Sequence, residues 1–398
     1  MRLLVVIDSY FPYGAAISSR VRVFCDLFSS IGYDIHVIAL SSLEDINIHE
    51  SAKYGKYVYQ AVNSGNIPSY KSFVGDTKLI TAIIDYLARN EVDAIFSTSC
   101  FPYFNSLQNA ARQQKIPLFV EQCEWHDVSS YKMGKYDPRH IRAERLRKAG
   151  YKNANGIISI SRLLDEHYKS MGIPSVRIPT ILDVKDTNYE PRGYKASIIN
   201  IVYTGNPGKS KEYLRPVIEA LALHPEYRER IVFHIYGPTK ELVSLNVGDV
   251  MLLDRAGSSV VLHGKVSQKL IENILTAADY QLFIRPDRRS SNAGFPTKLG
   301  ESMAVGTPVI ANDTGDIGMY LKDEYNGFVV DDNTTKGVVK VFEKLIRLHD
   351  DDYHEMRKNA RKTAEEVFDY RVYAPMVKEF FEKNSISKHR SERETNAL

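Results

Sequence analysis

Residues 3–40 read LLVVIDSYFPYGAAISSRVRVFCDLFSSIGYDIHVIAL, and this stretch decides the fold. Residues 3–7 (LLVVI) and 35–40 (IHVIAL) are apolar runs of strand length, rich in Val and Ile. Between them Val21, Phe24, Leu27, Phe28 and Ile31 recur at spacings of three and four, the pattern of an amphipathic helix. Gly32 follows as a stop signal. The segment is a strand, a helix and a strand with short connections. Both strands read as buried on two faces, which is the habit of a parallel sheet covered by helices.

The rhythm continues. VDAIFST (92–98), IPLFVEQ (116–122) and NGIISIS (155–161) are predicted strands, with helices over 105–114 and 162–172 and a longer helix between 122 and 155. The segment 183–195, DVKDTNYEPRGYK, is polar and aperiodic, and it marks a domain boundary. Beyond it the alternation restarts. Strands are expected over 197–205, 231–238, 259–266, 279–286, 307–313 and 327–331, with helices near 211–223, 270–278, 297–305, 337–348 and 353–368. The expected architecture is α/β, with two Rossmann-like doubly wound domains over 1–185 and 196–370. Residues 371–398 should form a helix returning to the first domain and then a frayed polar tail, SISKHRSERETNAL. Ligands of open parallel sheets sit beyond the carboxyl ends of the strands, so two such domains imply a cleft that takes two substrates.

A chain of 398 residues suits two domains, and 43% apolar with 25% charged residues is the composition of a soluble globular protein. Lys and Arg outnumber Asp and Glu by only 52 to 49, which argues against a general nucleic-acid binder. The three cysteines, Cys25, Cys100 and Cys123, form no Cys-x-x-Cys pair. A zinc ribbon is therefore not expected, and a reducing compartment is. The first apolar run is too short for a signal peptide, and no run is long enough to span a bilayer. A cytoplasmic protein is the expectation. One local imbalance stands out: RHIRAERLRKAGYK (139–152) holds six basic residues and one acidic. It is either a solvated helix face or a weak contact for an anionic surface, which would place the chain peripherally at the inner face of a membrane.

The stretch 293–313, AGFPTKLGESMAVGTPVIAND, carries the functional signal. The preceding loop 285–296, RPDRRSSNAGFP, has three arginines and is expected at the surface, at a strand's carboxyl end. Pro296 suits a first helical turn, and Thr297 is the alternative cap. Leu299, Ser302 and Met303 should face the core. The free N–H groups of the helix start favour an anion, above all a phosphate. Lys298 adds a full positive charge there, against the helix dipole, which makes sense with an anion bound. Glu301, three residues on, can accept hydrogen bonds from neighbouring sugar hydroxyls. The two residues read as clamps for a diphosphate and a ribose, or else as an ordinary i,i+3 surface pair worth ~0.2–0.5 kcal/mol.

The run GFPTKLGESMAVGTPVIAND resembles the signature of the retaining family 4 glycosyltransferases, which have the GT-B fold. By that resemblance Glu301 is the second of two family glutamates and holds the nucleotide ribose. The first, which helps hold the donor sugar, falls at Ala293, a departure shared with a branch acting on bacterial surface polysaccharides. The resemblance extends over most of the chain. DSYFPYGAAISSRVRVFCDLFSSIGYDIHVI is similar to the family's first strand, loop and helix, and VYTGNPGKSKEYLRPVIEAL to the start of its second domain. It implies an acceptor-side first domain and a nucleotide-sugar-binding second domain. In the latter, Gly205 and Gly237 match family glycines and Asn206 replaces an Arg. Lys211, or Lys209 with a shifted loop, stands for a family Lys. Gly294, Phe295 and Thr297 complete the implied donor set.

In the first domain, Gly14 lies in the loop after the first strand, where a glycine lets backbone approach a ligand. Arg20 can reach a phosphorylated acceptor or simply be solvated. VEQCEWHDVSSYKMGKYDP gathers Glu121, Glu124, His126 and Asp127 beyond a strand end. The family often has a His here touching the donor sugar; His126 is the nearest match and Glu124 the runner-up. Trp125 is either a wall for a sugar ring or ordinary core. Arg285, with Arg288 and Arg289, can neutralise phosphate. With no Asp-x-Asp metal site in evidence, cationic side chains and helix N–H groups should stabilise the leaving diphosphate, with no cofactor or metal. The resemblance therefore implies a transferase using a nucleotide sugar and a saccharide or lipid-linked acceptor. Two alternatives are a nucleotide-sugar epimerase of the same fold and a non-catalytic binder. A Rossmann dehydrogenase would need Gly-x-Gly-x-x-Gly after the first strand, and residues 8–20 lack it.

Overall fold

The chain is described by a computed structural model, which covers residues 1–12, 16–41, 52–63, 77–98, 103–190, 197–208 and 211–395. It divides into two compact units. One comprises Met1–Ile181 with Tyr370–Leu398, the other Leu182–Asp369.

The first unit holds eight strands: β1 (Arg2–Tyr10), β2 (Asp34–Ser41), β3 (Ala52–Tyr54), β4 (Tyr57–Asn63), β5 (Ala94–Ser97), β6 (Leu118–Gln122), β7 (Gly156–Ser159) and β8 (Ser175–Arg177). They form one sheet in the order β3-β4-β2-β1-β5-β6-β7-β8. All neighbours are parallel except β3 and β4. Leu3, Leu4, Val5, Val6 and Ile7 are all fully buried, as strands covered on both faces must be. The helix Ala16–Ser30 turns Val21, Phe24, Leu27 and Phe28 to the sheet. It ends as the Tyr33 N–H reaches back to the Phe28 carbonyl (3.1 Å), with Gly32 left-handed at φ +98°.

The last helix, Tyr370–Thr395, belongs to this unit and completes its core. Phe381 stacks on Phe119 with ring centroids 3.8 Å apart and also touches Phe28. A Cβ on Gly156 would lie 2.5 Å from the Phe380 ring, so β7 needs glycine where this helix crosses. The helix runs on through residues 385–395, where the polar composition predicts fraying.

The second unit has β9 (Ile199–Thr204), β10 (Ile231–Tyr236), β11 (Val260–Gly264), β12 (Tyr280–Phe283), β13 (Val309–Asn312) and β14 (Gly327–Val330). The order is β11-β10-β9-β12-β13-β14, and every pair is parallel. Both units are thus Rossmann-like, and the expected fold class is the observed one. Inside the second unit the helices Lys240–Val247 and Val250–Ala256 are not predicted, and the strand expected over 279–286 is shorter. The first helix after β9 begins at Arg215, not near 211, because Leu214 and the residues before it form a turn held by side chains. Two helices of the first unit go unpredicted or only sketched, Thr77–Arg89 and the short Pro138–Lys148, the latter in place of the long helix expected between 122 and 155. No helix among the described residues is long and apolar enough to cross a membrane.

Candidate active site

In the second sheet the chain runs outward from β9 to β11 and then resumes on the far side of β9 with β12. The carboxyl ends of β9 and β12 flank this reversal, the place where open parallel sheets bind ligands.

From β9, Tyr203 is followed by Gly205 at φ +129°, and the chain enters the turn that carries Lys211 and Glu212. The Lys211 and Glu212 N–H groups both donate to the Pro207 carbonyl (2.9 and 3.2 Å). Asn246, on the helix Lys240–Val247, donates to the carbonyls of Gly208 (3.2 Å) and Glu212 (2.9 Å) and accepts from the Leu214 N–H (2.9 Å). One side chain thereby fixes both arms of the turn. The Tyr213 N–H donates to the Ile284 carbonyl (2.8 Å), which ties the turn to the end of β12.

From β12 comes Arg285. Its backbone N–H and C=O are both held by the Asn312 side chain at 2.8 Å. The following residues do not make the expected surface loop. Arg289–Ala293 is a short helix, and Arg285, Ser291 and Ala293 are buried. The apolar Ala293 and Phe295 draw the segment inward; the Phe295 ring packs on Tyr320 and Phe368 (5.4 and 5.9 Å). That ring is core, and Gly294 caps the short helix, so this pair meets a ligand only through backbone. Next is the helix Thr297–Ala304, with Pro296 at its cap position and no side-chain cap. Thr297 instead hydrogen-bonds the Glu301 carboxylate one turn later. Leu299, Ser302 and Met303 are fully buried, as the pattern predicts.

The two ends meet at Glu212 and Lys298. The Lys298 ammonium donates to Glu212 Oε2 at 2.5 Å, and the Tyr203 hydroxyl donates to the same oxygen at 2.5 Å. The ammonium also sits over the Tyr203 ring, 4.3 Å from its centroid. A Cβ at 205 would approach Lys298 Nζ to 3.2 Å, so Gly205 leaves room for this side chain. Lys298 is therefore not half of a surface pair with Glu301. Its partner lies 86 residues away in sequence and is buried.

Burial lowers the Lys298 pKa, and Glu212 opposes that loss while Lys211 and Arg285 add to it. Burial alone would raise Glu212, but Lys298, Tyr203 and Arg285 outweigh it and hold the carboxyl below its ordinary value. Burial also lowers Arg285, against the pull of Glu212. Arg285 is 5% exposed, and its Nη1 is buried with no hydrogen-bond partner among the described residues. The cluster thus keeps one buried guanidinium donor without an acceptor, a place that an anion would fit. Beside it Glu301 is half-buried, and burial raises its pKa against the influence of Lys298 and Thr297.

Two family models match the chain in succession. The model described as Glycosyltransferase Family 4 matches residues 18–185, and that described as Glycosyl transferases group 1 matches 200–363. The chain is a glycosyltransferase of the GT-B fold. No curated protein matches the enzyme in sequence. Among solved structures it is similar to sucrose-phosphate synthase from Thermosynechococcus elongatus, at 16% identity and TM-score 0.74 over 96% of this chain and 99% of that one. It is similar to Anabaena HepE in complex with UDP and glucose, at 14% identity and TM-score 0.68 over 96% and 100%. A glycosyltransferase from Rickettsia africae ESF-5 follows at 12% identity and TM-score 0.69 over 97% and 99%.

The enzyme's first unit places the remaining candidates in two groups. Glu124 and His126 are both about half exposed, and Glu124 Oε2 lies 2.8 Å from His126 Nε2. Trp125 between them turns the other way. Its indole N–H donates to Glu144 (3.1 Å), Arg147 lies over its ring (4.7 Å), and His167 packs beside it (4.7 Å), so Trp125 is packing and not a free wall. Arg20, read as a phosphate-reaching or solvated residue, is neither. It is buried, its Nε bonds Glu121, and Nη1 and Nη2 donate to the carbonyls of Pro179 (2.7 Å) and Ile178 (3.1 Å). Arg147, counted in the basic run, is also buried and pairs with Glu144 (2.8 Å). Gly14, Lys209 and Cys100 lie outside the described residues.

Sequence reasoning missed Glu212, Tyr203, Asn246 and Asn312. The first had a signal: an acidic residue directly after the candidate Lys211, where a charge has to be placed somewhere. It also passed over Asp8, on β1 at the first sheet's own reversal between β1 and β5. Thr98 Oγ1 is 3.4 Å from Asp8 Oδ1, and burial pushes the carboxyl up to about 6.

Proposed function

We propose that the enzyme moves a hexose-type sugar from a nucleotide-diphosphate donor to a saccharide or lipid-linked saccharide acceptor, with retention at the anomeric carbon, in cell-surface polysaccharide synthesis. The observation that carries this reading is the buried Arg285 Nη1, left without an acceptor at the β9–β12 reversal where Lys298 is held by Glu212. A diphosphate supplies the missing acceptor, and Glu301, one turn on from Lys298, accepts hydrogen bonds from the ribose hydroxyls. The similarity to a protein crystallised with UDP and glucose supports the same class of donor.

In this reading the bond between the anomeric carbon and the diphosphate oxygen breaks as the acceptor oxygen bonds to that carbon on the same face. The acceptor's proton passes to the leaving phosphate oxygen. The growing charge on that oxygen is met by Arg285, Lys298 and the N–H groups that open the helix Thr297–Ala304. Because these donors are already in place, they lower the barrier without reorganising. Among the described residues no three His, Cys, Asp or Glu side chains gather to hold a metal ion, and the cations are proposed to do that work. His126 and Glu124 are proposed to hydrogen-bond a sugar hydroxyl. The enzyme would act at the inner face of the membrane, where lipid-linked acceptors are made.

A panel of nucleotide sugars screened by calorimetry, followed by mass analysis of products from a lipid-linked acceptor pool, tests the reading. One added sugar residue on an acceptor is the expected product. Isomerised nucleotide sugar formed without acceptor would replace the reading with an epimerase. Lys298→Ala should lose turnover while binding the free nucleoside as the wild type does.

A further inference from the structure

We propose that Glu212 is a positioning residue that holds the Lys298 ammonium charged and aimed at the donor diphosphate. The inference rests on the reading of Lys298 given above, and it assigns a role to a residue that neither the family signature nor the sequence pattern singles out.

A lysine on the first turn of the helix Thr297–Ala304 is poorly placed by the helix dipole, and this one is only 12% exposed. Burial, Lys211 and Arg285 all push it toward the neutral form. Glu212 opposes them. Its carboxylate is 3% exposed and cannot be pulled away by water. It is held from two further directions, by the Tyr203 hydroxyl on the same oxygen and by Asn246 on its backbone carbonyl. The acceptor oxygen is therefore a fixed point, and the ammonium is fixed with it.

An ammonium has three N–H donors. One is spent on Glu212, and the Tyr203 ring lies beneath the nitrogen at 4.3 Å. The remaining donors are thereby directed away from carboxylate and ring. The same arrangement explains the glycine at 205, where a side chain would crowd Nζ. Glu212 touches neither donor nor acceptor in this account, and it acts through Lys298.

The test reads the lysine directly. Full-length wild type, Glu212→Gln and Glu212→Asp are pulse-labelled with acetic anhydride between pH 6.5 and 10, and each lysine is followed by peptide mass analysis. In Glu212→Gln the pH at which Lys298 becomes reactive should fall by at least one unit, a tenfold rise in reactivity at a given pH below the midpoint. Lys340 and Lys344, remote exposed lysines, should keep their wild-type profiles. Glu212→Asp should lie between the other two. It makes the same test if the glutamine variant does not fold. A Lys298 midpoint unchanged in a folded variant overturns the inference, and a rise in labelling at every lysine would show that Glu212 acts only on stability, which overturns it too. A parallel arm adds 5 mM UDP to the wild type. Failure of UDP, and of GDP and ADP in turn, to protect Lys298 would sink the diphosphate reading while leaving the Glu212–Lys298 coupling standing.

Discussion

A Cβ on Gly237 would lie 2.1 Å from the carbonyl oxygen of Gly205, and Gly237 itself sits at φ +116°. The ends of β9 and β10 therefore come together only because residue 237 has no side chain. The Gly205 N–H donates to the Tyr236 carbonyl (3.0 Å) and the Gly237 N–H to the Gly264 carbonyl (2.7 Å), so three strand ends are laced through this pair. Gly237→Ala should cost ~2 kcal/mol or more by backbone strain and overpacking. Denaturant unfolding checks it. A loss below ~0.5 kcal/mol would mean that the strand ends separate freely.

Arg20 and Glu121 form a buried pair in the first unit. Arg20→Met leaves Glu121 as a buried charge without its partner, and the expected loss is ~3–5 kcal/mol. Nucleotide-sugar affinity per folded molecule should not change. A variant of native stability that binds donor poorly would return Arg20 to the ligand.

Glu301→Gln should pull stability and binding in opposite directions. Burial raises the folded pKa of Glu301 above its unfolded value. The folded chain thus holds this proton more tightly, and stability is lost as pH rises through the interval between the two values. At pH 8 the neutral glutamine should melt higher than wild type, and at pH 3.5 the two should agree. Donor binding should weaken by ~1–3 kcal/mol through loss of a charged acceptor. Unchanged donor affinity would remove Glu301 from the site.

Asp8 gives a pH window with limits. Between its ordinary value of 3.8 and about 6 the folded chain keeps a proton that the unfolded chain has released. Stability should fall with rising pH across that window and level off above it. Asp8→Asn removes this contribution to the slope. The difference in Tm between variant and wild type should open between pH 4 and 6, in favour of the variant. A constant difference from pH 4 to 8 would contradict the burial of this carboxyl.

The segment from 132 to 148 presents Met133 (61% exposed), Tyr136 (69%) and Ile141 (39%) beside Lys132, Lys135, Arg145 and Lys148, which are also exposed. Vesicle flotation should show binding to anionic but not neutral lipid, reduced by salt. Each basic residue contributes ~1 kcal/mol, so replacing Lys132, Lys135 and Arg145 by Ala should weaken it by about two orders of magnitude. Arg147 is left intact in this test because its removal would undo the packing on Trp125. Equal flotation with both lipids would leave a solvated face.

Most of the fold was legible because its strands are apolar runs and its helices keep one apolar stripe, as in residues 3–40. The helix Thr77–Arg89 went unread although Leu79, Ile83 and Leu87 recur at a spacing of four. At the candidate site, the positions of Lys298, Arg285 and Glu301 around a helix start after a strand end were legible. Glu212 was not, because its pairing with Lys298 depends on two turns brought together by the order of strands β9 and β12. No spacing along the chain records that adjacency. Arg20 was misjudged for the same reason: its partners, Glu121, Ile178 and Pro179, are distant in sequence, and a helical arginine with no acidic neighbour one turn away looks solvated.

The helix Tyr370–Thr395 packs into the first unit, with Phe381 against Phe119, although the whole second unit precedes it in the chain. During synthesis the second unit therefore has all of its residues once Asp369 has emerged. The first unit, begun earlier, must wait with Phe28, Phe96 and Phe119 unsealed until the final segment leaves the ribosome. The half of the enzyme that is made first is the half that is finished last. A ribosome stalled with Asp369 emerged and the helix Tyr370–Thr395 still inside its exit tunnel should display a protease-resistant second unit and a protease-sensitive first one.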